Sequence, residues 1–146
     1  MDNEMEQKKE YLRSYRKTRA EEKAIRESIE ELRLNKMSPS LGVQDGMPKG
    51  SGGSDLSGYA ARLDELERKL QVKQKKAVIL MCNIADSIAE MEDATERTLL
   101  RYRYICGYTW EKIAEEMNCS VRWIHKKHGK ALKSFKFPKE FIVVHT

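Results

Sequence analysis

Arg122, Lys126, Lys127, Lys130, Lys133 and Lys136 are the residues of this chain whose type and spacing point to chemistry. They recur at helical steps, and no Asp or Glu occurs between Glu116 and Glu140. A helix that carries one sign of charge over such a distance attracts a polyanion. From residue 121 to residue 137 there are six Lys or Arg and no acid, so this segment more than accounts for the formal excess of +5. Covalent chemistry is not what these residues offer. No nucleophile has an adjacent base and no carboxylates pair at a recognisable spacing, so neither an enzyme nor a cofactor is expected. His125 and His128 stand one turn apart with Cys119 within approach, yet no fourth ligand is evident and no metal is expected.

The elements that must position this basic helix can be read around it. Thr109 is placed to N-cap a helix of about two turns, whose apolar residues Trp110, Ile113, Ala114 and Met117 follow the i, i+3, i+4, i+7 spacing. Asn118, Cys119 and Ser120 then break the pattern. Asn118 tolerates a left-handed helix end, and Ser120 is a good N-cap for a second helix. From Val121 onward Ile124, Ala131, Leu132 and Phe135 recur at helical spacing, with Lys127 and His128 where one turn of the stripe would be expected. This is a helix-turn-helix, and its second helix is the one that enters a major groove.

In that geometry the base-edge contacts fall to Val121, Arg122, His125 and Lys126, on the first exposed turns. Arg122 suits guanine O6 and N7, and Val121 suits a thymine methyl. Ser120, Lys127, Lys130 and Lys133 are expected at phosphates, with His128 a neighbour there. The stem of Lys127 can run along the core while its ammonium reaches outward. Gly129 costs about 1 kcal/mol of helix propensity relative to Ala, which suggests close approach of a backbone or another helix. Trp123 is expected to pack against the preceding helix, with stacking at DNA the alternative; Trp110 reads as core.

Upstream, residues 4–36 contain no helix breaker and hold Tyr11, Tyr15, Thr18, Ile25, Ile29 and Leu32 in steps near three and four, interrupted by Glu22. So narrow a stripe needs a partner. Residues 56–91 carry a stronger seam through Leu63, Leu66, Leu70, Ala77, Ile84 and Ile88, with Met81 and Met91 as ordinary packing. Between the two lies a Gly-, Pro- and Ser-rich connector, with Ser54 or Asp55 available as a cap. It lacks the order of a phosphate-binding loop. The seams can pair within one chain or between chains, as a homodimer or small oligomer. Asp93 should cap a helix over 94–106 that Gly107 ends, with Leu99, Leu100, Tyr102 and Ile105 inward and Arg97, Arg101 and Arg103 outward. The apolar run Phe141, Ile142, Val143, Val144 should dock on a helix or on a second subunit.

The expected fold is therefore all-α: two long, coiled-coil-like helices joined by a flexible loop, then a three-helix helix-turn-helix domain. The divisions are an N-terminal long helix (1–36), a linker (37–55), a second long helix (56–92), the helix-turn-helix domain (93–137) and a C-terminal tail (138–146). Charged residues at 35% and aromatic residues at 8% suit such surface-rich helices. Three cysteines without C-x-x-C spacing fit a reducing cytosol. The charged N-terminus and the lack of a long apolar run lead us to expect a soluble, cytoplasmic protein with no membrane partner.

Gly107, Thr109, Glu111, Ile113, Glu115, Ser120, Ile124, Ala131 and Leu132 resemble, without a gap, the pattern of region 4 of the sigma-70 class of bacterial sigma factors. A closer resemblance, over about residues 47–136, is to small phage and prophage proteins related to the late-gene transcriptional activators of Gram-positive phages. It is carried by MPKGSGGSD at 47–55, by Leu100, Arg101, Tyr102, Arg103 and Tyr104, and by His125, His128, Gly129, Ala131 and Leu132. The resemblance implies a sequence-specific, DNA-binding transcriptional regulator with double-stranded DNA, and RNA polymerase, as partners. Two departures qualify it. Val121 and Arg122 stand where sigma factors place a base-reading Arg-Glu pair, so a sigma-type promoter element is not implied, and Lys127 stands at an apolar position of both families. Two other readings are a DNA-packaging component similar to small terminase subunits, and an interaction protein that acts on RNA polymerase or another host factor.

Overall fold

Asp2–Met37, 36 residues without Gly or Pro, form a single helix, α1, in the computed structural model, which describes residues 2–37 and 52–139. A second helix, α2, spans Gly52–Ala89. It begins earlier than a cap at Ser54 or Asp55 would place it and ends two residues before Met91. The remainder of the expected linker, and the apolar run at 141–144, lie outside the described residues.

Three short helical segments complete the described chain. Helix α3, Ala94–Leu100, runs directly into a π-helical turn at Arg101–Ile105; α4 covers Trp110–Met117 and α5 covers Val121–Ser134. The architecture is all-α, with no strand among the described residues. None of the described helices is long and apolar enough to cross a membrane.

The chain divides into two compact units, whose boundaries fall within both long helices. One unit is Thr18–Lys76. Here the two helices run antiparallel within one chain, since Lys73 pairs with Glu21 at 3.0 Å and Arg33 pairs with Glu67 at 3.1 Å. Ile29 and Leu66 are buried between them. Glu22, which interrupts the apolar stripe of α1, is nevertheless 3% exposed. Arg19 at 3.1 Å and Arg26 at 2.9 Å, one turn to either side, neutralise it, as a buried carboxylate requires.

The other unit comprises the described parts of Met1–Lys17 and Ala77–Thr146. Its core joins Leu12 and Tyr15 of α1, Ile84 and Ile88 of α2, Leu99 and Leu100 of α3, Ile113 of α4 and Ile124, Leu132 and Phe135 from α5 and its C-terminal cap. Met5 and Met81 pack against that core. Phe135 is fully buried, its ring 6.3 Å from Tyr11 and from Phe137. Burial pushes the Tyr11 phenol up to about 12. Lys8 donates to the Leu132 carbonyl at 2.9 Å and the Lys133 carbonyl at 3.4 Å, so the negative end of α5 meets an ammonium from α1.

The π turn changes which tyrosine faces inward. Cys106 N–H donates to the Arg101 carbonyl at 2.9 Å, five residues back, and Tyr108 N–H to the Tyr102 carbonyl at 2.9 Å. The wider turn rotates the side chains after it away from a regular 3.6-residue pattern. Tyr104 is therefore buried, while Tyr102 and Ile105, expected inside, are half-buried, and Arg103 is half-buried rather than outward.

Candidate nucleic-acid interface

Local chemistry fixes each end of the helices that build this surface. The Asp93 carboxylate accepts the Glu96 N–H at 3.0 Å to start α3. Gly107 ends the π turn with φ +76°, a conformation that a side chain disfavours. The Thr109 hydroxyl accepts the Lys112 N–H at 3.1 Å to start α4. Asn118 closes α4 in the left-handed region, φ 55° and ψ 48°, and the Cys119 N–H donates to the Ala114 carbonyl at 3.0 Å. The Ser120 hydroxyl accepts the Trp123 N–H at 3.0 Å and starts α5. Thr109→Ala should therefore lower the stability of this unit by ~1 kcal/mol, seen as a reduced urea midpoint at unchanged slope.

Arg122, Lys126, Lys130 and Lys133 are all exposed and lie along one face of α5. Val121 is half-buried at the start of that helix. His125 is exposed, with its ring 4.7 Å from the Trp110 ring. Ser120 is exposed and uses its oxygen as the cap. Gly129 lies within the cationic face, and among the described residues a Cβ there would meet nothing from another helix within 4 Å, so no packing contact among them explains the glycine. Trp123 is 41% exposed and does not join the core, contrary to its expected packing role. Trp110 is half-buried and packs against the core, with its ring close to the His125 and His128 rings.

Two of the expected phosphate contacts are placed differently. His128 is 8% exposed, and its Nε2 lies 2.8 Å from the Tyr104 hydroxyl. Its ring meets the Trp110 ring edge-on at 4.8 Å. It fills the missing turn of the apolar stripe, so it supports the helix from inside and is not a neighbour of phosphate. Burial lowers its pKa to about 4, and the positive charges of Lys9, Arg103, His125 and Arg13 act in the same direction. Lys127 turns the other way around the helix. Its ammonium lies 3.4 Å from Asp93 and 3.7 Å from Glu96, whose carboxylate is nearly buried at the start of α3. The Glu96 amide, and then the Lys127 ammonium, hold the Asp93 carboxyl below the usual range. Lys127 thus neutralises the protein's own acids at a position otherwise suited to an apolar side chain.

Sequence reasoning missed Arg103 and the basic residues of α1. Arg103 donates to the Tyr108 carbonyl at 2.9 Å and lies over the Trp110 ring at 4.1 Å. Arg16 lies against the bare Cα of Gly107, where a Cβ would come within 2.5 Å of its guanidinium carbon. The signal was the i, i+4, i+7 spacing of Lys9, Arg13 and Arg16, which places them on one helix face. Among the described residues, no group of three or more His, Cys, Asp or Glu could hold a metal ion.

No curated protein and no solved structure matches the chain. Residues 93–136, from the cap of α3 to just past α5, match the family model described as Sigma-70, region 4. That family is a DNA-binding one, not a catalytic one, and this part of the chain is a helix-turn-helix domain of its type.

Proposed function

We propose that this chain is a sequence-specific, DNA-binding transcriptional regulator whose α5 lies in the major groove. The observation that carries the reading is the exposed, acid-free face of α5, formed by Arg122, Lys126, Lys130 and Lys133, on the second helix of a domain that matches sigma-70 region 4. Arg122, Val121, His125 and Lys126 occupy the first turns and read base edges. Ser120, Lys130 and Lys133 hold the phosphates on either side. Trp123, exposed beside Arg122, adds an apolar contact for a thymine methyl or a sugar. Gly129 leaves the middle of the face free of side-chain bulk, which suits close approach of the duplex. A phage or prophage origin rests on the resemblance of residues 47–136 to small phage helix-turn-helix proteins.

Selection of bound sequences from random duplex DNA supplies the target. Against that target, Arg122→Ala should lower the discrimination between specific and random sites by ~1–3 kcal/mol. Lys130→Ala should weaken all sequences alike and flatten the slope of log affinity against log salt by about 0.9. If both variants bind both kinds of duplex like the parent, α5 does not lie in the groove.

A further inference from the structure

We propose that α1 builds a second phosphate seat beside the recognition helix, in which Arg13 and Arg16 clamp the DNA backbone that flanks the major groove. The inference rests on the duplex-binding reading above. An open pocket of about 370 Å³ is lined by Lys9, Arg13 and Arg16 of α1, Arg103 of the π turn and His125 of α5, and no carboxylate lines it. Among the described residues no ion pair joins Arg13, Arg16 or Arg103 to an acid; Lys9 alone has one, with Glu6 at 3.5 Å. Like charges from three separate elements repel one another, and a bound anion relieves that repulsion. One guanidinium group is held in place beforehand, Arg103, by the Tyr108 carbonyl and the Trp110 ring, and the Arg16 guanidinium lies beside Gly107. Planar guanidinium groups suit phosphate oxygens through paired donors.

Continuity with α5 identifies the occupant. His125 lies both on the rim of this pocket and on the exposed first turns of the recognition helix. Gly107 and Thr109 mark the start of α4, and in a helix-turn-helix the helix before the recognition helix crosses the DNA backbone. A duplex seated on α5 therefore brings a backbone phosphate to this pocket. The lowered pKa of His128, to which Lys9, Arg103, His125 and Arg13 contribute, is consistent with positive potential there.

The test uses the full chain and a random-sequence duplex, with affinity followed by fluorescence anisotropy across a salt series. Arg13→Gln/Arg16→Gln should weaken binding about tenfold at low salt for every sequence and flatten the salt slope by roughly 1 to 2, as loss of one or two phosphate contacts requires. Arg13→Gln alone, at an exposed position, should give a smaller change of the same kind and guards against misfolding of the double variant. If both variants match the parent while Lys130→Ala still weakens binding, the α1 seat is wrong and the recognition-helix reading stands. If the parent shows no affinity for duplex at low salt, both readings fall. Saturable binding of inorganic phosphate that the double variant loses, with unchanged DNA affinity, would make the pocket a free-phosphate site and overturn the duplex assignment.

Discussion

Phe135→Ala is expected to destabilise the unit that holds the recognition helix by about 3–5 kcal/mol, the range for removing a fully buried aromatic ring. The ring is 0% exposed at the end of α5 and lies among Tyr11, Phe137 and the aliphatic core. Its loss leaves a cavity where α1 meets α5, two helices that cannot close on each other without moving the Lys8 contact. Urea unfolding followed by tryptophan fluorescence reports on this unit, because Trp110 and Trp123 both belong to it. A loss below about 1 kcal/mol would mean that α1 does not pack there as described.

Acidification should produce the second large effect, through His128. The unfolded imidazole has its ordinary pKa of 6.5, and burial lowers the folded one to about 4. Between these values the unfolded chain binds a proton that the folded chain does not, so the contribution is complete above pH ~6.5 and is lost as pH falls toward ~4. The difference corresponds to ~3 kcal/mol. His128→Gln keeps a hydrogen-bonding partner for Tyr104 and removes the titration. The parent should therefore lose ~3 kcal/mol more than the variant between pH 7.5 and pH 4, measured as the change in urea stability. The carboxylates titrate in both proteins and cancel in the comparison. Equal pH dependence of the two would show that the ring is not held neutral inside.

The helix ends of the DNA-binding region were legible because they depend on neighbours in sequence. Asp93, Thr109 and Ser120 cap helices within three residues of themselves, and Gly107 and Asn118 adopt the positive φ that their types favour. The faces were less legible. Lys127 and His128 sit together where the apolar stripe lapses, and sequence alone does not say which of two polar residues turns inward. The structure separates them by their partners, two acids at the start of α3 for Lys127 and a tyrosine for His128. That tyrosine was itself hidden, because a π turn shifts the inward positions of Arg101–Ile105 and leaves no trace in a 3.6-residue pattern. The role of α1 beside α5 was illegible for a different reason. Lys8 and Leu132 are 124 residues apart in sequence, and nothing local to either predicts their meeting.

That meeting bears on whether such a domain can stand alone. The ammonium of Lys8 secures the last turn of the recognition helix, and Leu12 and Tyr15 supply part of its hydrophobic support. None of these three residues lies in the stretch that matches sigma-70 region 4. Residues 93–136 expressed alone would therefore lack the anchor of their final helix, and should hold α5 less firmly than the full chain does.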